Sequence, residues 1–228
     1  MANSDEFETS FKEDVGKLAG SKHCLFCSKL WKEIVHFYAH LPYELAHDAK
    51  TRQEYANEEA LCHFHLWQLA SMSSATGLSL ALAEMAEGTS RRLSVLVERD
   101  RQTENVLKVP FDSDNSCLVC SYTDRVERQN LDYFGKLLAE PEGLEAYEKS
   151  NGFCLRHTVL IIAGMDEERS KFVIAHSVKR FFELAQNLRF FSQKTNMRQR
   201  ALIQPDEASA FSRALIQLGG IKYLHYKN

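Results

Sequence analysis

The stretch from Cys117 to Ala163, CLVCSYTDRVERQNLDYFGKLLAEPEGLEAYEKSNGFCLRHTVLIIA, opens on Cys117-x-x-Cys120 and closes on Cys154-x-x-His157. An apolar run, Val159-Leu160-Ile161-Ile162-Ala163, follows the second motif. Between the motifs, Val126, Leu131, Phe134, Leu137 and Leu138 recur at helical spacing and predict one helix, broken before Pro141. Leu144 to Lys149 predict a shorter helix, and Asn151-Gly152 a turn that leads into Cys154.

The same order stands earlier in the chain. Cys24-Leu25-Phe26-Cys27 is followed by Cys62-His63-Phe64-His65 after 34 residues, against 33 residues in the later copy. The copies are offset by 93 residues at their starts and 92 at their ends, and each opens Cys-Leu-x-Cys-Ser (Ser28, Ser121). Tyr55 and Tyr147 each stand seven residues before the third cysteine, and Leu66-Trp67-Gln68-Leu69-Ala70 follows the first Cys-x-x-His. All six cysteines fall in these motifs, which predicts an internal duplication.

The flanking segments are also helical in pattern. Phe7, Phe11, Val15 and Leu18 predict an amphipathic N-terminal helix ending at Gly20. Leu30, Trp31, Ile34, Val35, Tyr38 and Leu41 predict a helix that Pro42 stops. A short helix from about Asp48 to Glu59 would deliver Cys62, and the next carries His65 and Leu69 before loosening at Ser73-Ser74-Ala75-Thr76-Gly77. Long helices follow over about 78–107, ending at Val109-Pro110, and over about 167–196, the second rich in aromatics (Phe172, Phe181, Phe182, Phe190, Phe191). A last helix starts near Pro205 and ends at Gly219-Gly220. No alternating strand pattern occurs. The expected fold is all-α: two pseudo-symmetric helical modules, each with a Cys3His site at helix N-termini. The expected divisions are 1–22 (N-terminal helix), 23–110 and 111–200 (the modules) and 201–228 (C-terminal helix and tail).

A Cys-x-x-Cys pair at a turn opening a helix brings two thiolates onto one ion, and Cys-x-x-His does the same with a thiolate and an imidazole. Helix N-terminal N–H groups favour the negative sulfurs. Each copy is therefore expected to hold its own metal, one through Cys24, Cys27, Cys62 and His65 and the other through Cys117, Cys120, Cys154 and His157. A Cys3His shell is typical of structural zinc. Two Zn2+ are the expected cofactors, with two iron–sulfur clusters as the alternative, since thiolates with one imidazole suit either. Apolar residues between the cysteines (Leu25-Phe26, Leu118-Val119) would shield either centre. Two redox Cys-x-x-Cys pairs would need a βαβ setting, which is not found.

The motifs resemble those of an uncharacterised prokaryotic family of helical proteins, which carry Cys-x-x-Cys followed by Gly-Phe/Leu-Cys-x-x-His. The match lies at Cys117-x-x-Cys120 and Gly152-Phe153-Cys154-x-x-His157, with a diverged copy at Cys24-x-x-Cys27 and Leu61-Cys62-x-x-His65 that lacks the glycine. The resemblance implies the metal sites and brings no activity with it.

Other features point away from particular functions. The chain has 228 residues, a formal net charge of −3, 44% apolar and 26% charged residues, so no polyanion-binding surface is indicated. No run of 18 apolar residues exists, and the acidic, polar segment from Met1 to Lys17 lacks the layout of a secretory signal, so a cytoplasmic protein off the membrane is expected. His36 and His40, four apart, lack a matching carboxylate pair and read as a solvated or core-edge face. His63 competes with His65, but only His65 matches His157. The aromatic helix reads as core or as a homodimer seam. No phosphate loop, Ser/His/Asp signature or paired-carboxylate motif appears, so an enzyme is not expected. The expected role is interaction with another protein, with electron transfer or redox sensing as the alternative.

Overall fold

The computed structural model describes residues 4–57, 61–98, 117–194, 200–222 and 224. Among them stand ten α-helices and no strand. In chain order these are α1 (Ser4–Ala19), α2 (Leu25–His47), α3 (Ala49–Asn57), α4 (His63–Met72) and α5 (Ala75–Glu98). After them come α6 (Leu118–Leu137), α7 (Pro141–Lys149), α8 (Leu155–Ile162), α9 (Glu167–Lys194) and α10 (Pro205–Gly219). The expected helix stop at Val109-Pro110 lies outside the described residues.

Two local expectations are corrected. α2 continues through Pro42 to His47. Proline removes one i→i−4 hydrogen bond, at about 3 kcal/mol. Ile34, Tyr38, Leu41 and Leu45, spaced four, three and four, are all buried and hold the helix together past that gap. Burying one leucine contributes about 1.5–3 kcal/mol, so Leu41 and Leu45 offset the proline. The loosening at 73–77 shrinks to Ser73-Ser74, because the Ser74 hydroxyl accepts the Gly77 N–H at 3.0 Å and starts α5 at Ala75.

The chain divides into two compact units, one of residues 1–31 and 128–224, the other centred on residues 32–127. This differs from the succession of modules at 23–110 and 111–200, and the boundaries fall inside α2 and α6.

In the first unit α1 packs on α7, and α9 packs on α8 and α10. Its core holds Leu18, Phe26, Phe134, Leu137, Leu138, Tyr147, Phe153, Ile161 and Val173. Phe26 stacks on Phe134 at 5.0 Å, and Phe153 meets both edge-on. Buried Asp14 accepts hydrogen bonds from Lys29 and Tyr133, so the charge brought inside by α1 is neutralised there. In the second unit α3 packs on α5. Arg52 of α3 pairs with Glu84 of α5 at 2.7 Å and donates to the Leu45 and Ala46 carbonyls, closing the end of α2.

Candidate metal centres

Each motif begins a helix. Cys62 and Cys154 are the N-cap residues of α4 and α8, with extended backbone (φ −70°, ψ 164° and φ −67°, ψ 164°). Their carbonyls accept the first helical bonds, from Leu66 at 2.9 Å and Thr158 at 2.8 Å. Cys24 and Cys117 stand just before α2 and α6 and do the same toward Ser28 and Ser121, at 3.1 and 3.0 Å. The Cys27 and Cys120 amides in turn lie 3.5 Å from the sulfurs of Cys24 and Cys117. The x-x spacing therefore places one ligand at the cap and the second one turn in, on the same side of the helix start.

The eight residues gather into two groups, and the grouping is not the sequential one. Cys24 and Cys27 meet Cys154 and His157; Cys117 and Cys120 meet Cys62 and His65. The expectation that each copy closes its own site is thus corrected: each Cys-x-x-Cys is completed by the Cys-x-x-His of the other copy. The physical reason lies in the units. Cys24, Cys27, Cys154 and His157 all belong to the unit of residues 1–31 and 128–224, and the other four to residues 32–127.

In each group the four donor atoms lie within 4.8 Å of one another. In the first, His157 Nδ1 is 3.5 Å from Cys24 Sγ, 3.3 Å from Cys27 Sγ and 3.1 Å from Cys154 Sγ, and Cys27 Sγ is 3.6 Å from Cys154 Sγ. In the second, His65 Nδ1 is 3.2 Å from Cys62 Sγ and 3.3 Å from both Cys117 Sγ and Cys120 Sγ, and Cys62 Sγ is 3.8 Å from Cys120 Sγ. None of the six cysteines is in a disulfide. Both groups can hold a metal ion.

Their electrostatics point the same way. Burial pushes the Cys24 thiol up, while hydrogen bonds from Cys154 and then Cys24 hold Cys27 far below the ordinary thiol range. Hydrogen bonds from Cys120 and Cys62 bring Cys117 down to about 2, and hydrogen bonding with Cys117 and then Cys62 pushes the Cys120 thiol far up. Crowded sulfurs without a cation thus share protons. Ionising all three together requires a positive charge among them.

The surroundings separate the two groups. All four residues of the first are buried, and Phe26 stacks on the His157 ring at 4.1 Å and 16°. In the second, Cys62 is only half-buried, and the Tyr38 hydroxyl donates to the His65 carbonyl at 3.3 Å. Of the four residues expected to shield the centres, Phe26 and Val119 are fully buried and Leu25 and Leu118 half-buried. Phe26 also stacks on the His157 ring, which the sequence signals only by an aromatic inside Cys-x-x-Cys. His63 is exposed and outside both groups, whereas His65 is buried in one. The exposed His36 and His40 rings lie 4.8 Å apart and join no metal-ligating group among the described residues.

No family model matches the chain, and no curated protein or solved structure is similar enough to it to be compared. The resemblance to a prokaryotic family therefore rests on the motifs alone. No helix among the described residues is long and apolar enough to cross a membrane.

Proposed function

We propose that the protein binds two zinc ions, one in each Cys3His group, as closed structural sites of a helical module that acts by binding another protein in the cytoplasm. One observation carries the choice of a single ion per site: all four donor atoms of each group lie within 4.8 Å of one another. A tetrahedral ion with metal–sulfur bonds of about 2.3 Å and metal–nitrogen bonds of about 2.0–2.1 Å needs edges of about 3.8 Å between sulfurs and about 3.5 Å from sulfur to nitrogen. The distances of 3.1–3.8 Å among these donors fit that size. An iron–sulfur cluster places inorganic sulfide and more than one iron between its ligands, so donors on different irons must stand farther apart. The donor set is also complete at four, which leaves no open position for substrate and fits a structural rather than a catalytic role.

The interaction role draws support from α10. Phe211, Leu215 and Leu218 recur at helical spacing and are each about 60% exposed, more apolar surface than a helix facing only water would carry. Two copies of one module in a single chain, exchanging their metal ligands, would account for the repeated motifs.

The test is to purify the protein without oxygen, record its visible spectrum and measure bound metals and sulfide. Two zinc ions per chain, with no visible absorbance, are expected. Iron with sulfide and broad visible absorbance would replace this reading with a redox one, and folded protein holding neither metal would end it.

A further inference from the structure

A cavity of about 480 Å3 opens in the unit of residues 1–31 and 128–224, between α9, α10 and the segments at 22–23 and 151–153. Its volume lies in the range of small-molecule sites, roughly 300–1,000 Å3. Phe153, Phe181 and Leu184 give it an apolar side. Lys22, Arg180 and Arg213 bring three positive charges to the lining, against Glu183 and Asp206. Arg180 is already committed, 3.1 Å from Glu183.

Arg213 is not. Its Nη2 donates to the Asp206 backbone carbonyl at 2.6 Å, and its Nε is buried with no hydrogen-bond partner. No carboxylate among the described residues pairs with Arg213 or with Lys22. A partly buried guanidinium without a counter-charge is costly, and an arriving oxyanion would supply it through charge-assisted hydrogen bonds. The wall between these two cations is stitched in place. Gln217 donates to the Asn151 carbonyl at 3.1 Å, while Asn151 donates through its side chain to the Lys22 carbonyl at 3.3 Å and through its amide to Ser21 at 3.2 Å. A preformed wall lowers the ordering cost of binding.

We propose that this cavity binds a small organic oxyanion, a carboxylate or a phosphate monoester with an apolar body. The charged group meets Arg213 and Lys22, and the body lies against Phe153, Phe181 and Leu184. None of the eight residues of the two metal groups lines it.

The test is calorimetric titration of the full-length protein, as purified with its metal, using phenyl phosphate, benzoate, inorganic phosphate and benzyl alcohol. One of the two aryl oxyanions is expected to bind saturably, more tightly than inorganic phosphate, which lacks the body, or benzyl alcohol, which lacks the charge. Comparing the two aryl probes separates phosphate ester from carboxylate. Arg213→Gln should weaken that binding at least about tenfold, the loss of one charge-assisted contact. Lys22→Gln, at an exposed side chain that cannot unfold the protein, should weaken it several-fold. No saturable binding of either aryl probe below about 10 mM, weaker than a useful small-molecule site, overturns the proposal. So does equal binding of benzyl alcohol or inorganic phosphate, or an unchanged affinity in Lys22→Gln.

Discussion

Cys27 and Cys154, 127 positions apart in the chain, stand with their sulfurs 3.6 Å apart. Cys27 and Cys62 are much closer in sequence and belong to different groups. The crossed pairing of the motifs makes the two groups nested along the chain. One spans from Cys24 to His157, and the other lies wholly inside it, from Cys62 to Cys120. Closing loops this long costs conformational entropy that grows only slowly with length, so a metal bond can offset it.

Pairs of substitutions distinguish the exchanged arrangement from the sequential one by stoichiometry. Cys27→Ser with Cys154→Ser removes two ligands from one group, and one metal ion per chain should remain. Cys27→Ser with Cys62→Ser removes one ligand from each group, and both ions should be lost to a competing chelator. Sequential pairing requires the opposite pattern. Metal per chain, measured by mass spectrometry after chelator challenge, decides.

A second prediction concerns the join of α6 and α7. A Cβ on Gly143 would lie 1.8 Å from the Leu137 carbonyl oxygen, a backbone atom that cannot swing aside. Gly143→Ala should destabilise the metal-loaded protein by about 1–3 kcal/mol or more, the range for forced overpacking. Gly135, inside α6, has nothing within 4 Å of its Cβ position. Gly135→Ala should stabilise by about 0.5–1 kcal/mol, because alanine suits a helix interior better. Urea denaturation of the two variants checks opposite signs eight residues apart.

These features divide between what is local and what is not. That these eight residues gather in groups was legible because x-x spacing and a helix start are set within one turn: cap residue, then the residue three along. Pro205 at the first position of α10 was legible for the same reason, whereas α7 starts at Pro141, three residues before the expected Leu144. The pairing of ligands was not. A Cys-x-x-Cys turn carries no mark of which Cys-x-x-His it meets; that choice depends on how Phe26, Phe134 and Phe153 pack in one core. Pro42 misled for a related reason, since the burial of Leu45 beyond it is a tertiary fact. The cavity beside Arg213 was silent too, its lining coming from four separate segments with no shared motif.

The difference in shielding between the groups predicts unequal lability. Cys62 is half-buried, while Cys24, Cys27, Cys154 and His157 are fully covered. Metal loss from a covered site needs local opening, whereas a chelator or alkylating agent reaches the half-buried sulfur from solution. A chelator should remove one ion quickly and the other slowly, and limited alkylation should label Cys62 first. One phase accounting for both ions, with even labelling of all six cysteines, would show that the shielding has no kinetic effect.

His176 supplies the pH prediction. Its Nε2 donates to the Glu148 carbonyl at 3.1 Å, while Nδ1 is buried with no partner. Burial above all, with the charges of Arg180 and Lys179 added, holds its pKa below the ordinary histidine value, although the bond to Glu148 opposes this. The unfolded chain therefore takes up this proton first as the pH falls. The stability tied to neutral His176 is complete above about pH 6.5, the unfolded value, and is lost as pH falls toward the lower folded value. Acid would also strip metal held by the two groups, so the slope of the native protein alone does not isolate this residue. Comparison with His176→Gln does, because metal release is common to both proteins. The expected outcome is a shallower loss of stability below pH 6.5 in His176→Gln than in the native protein, measured by urea denaturation at fixed metal concentration. Parallel curves would mean that His176 titrates alike in the folded and unfolded chains, and that its burial carries no electrostatic cost.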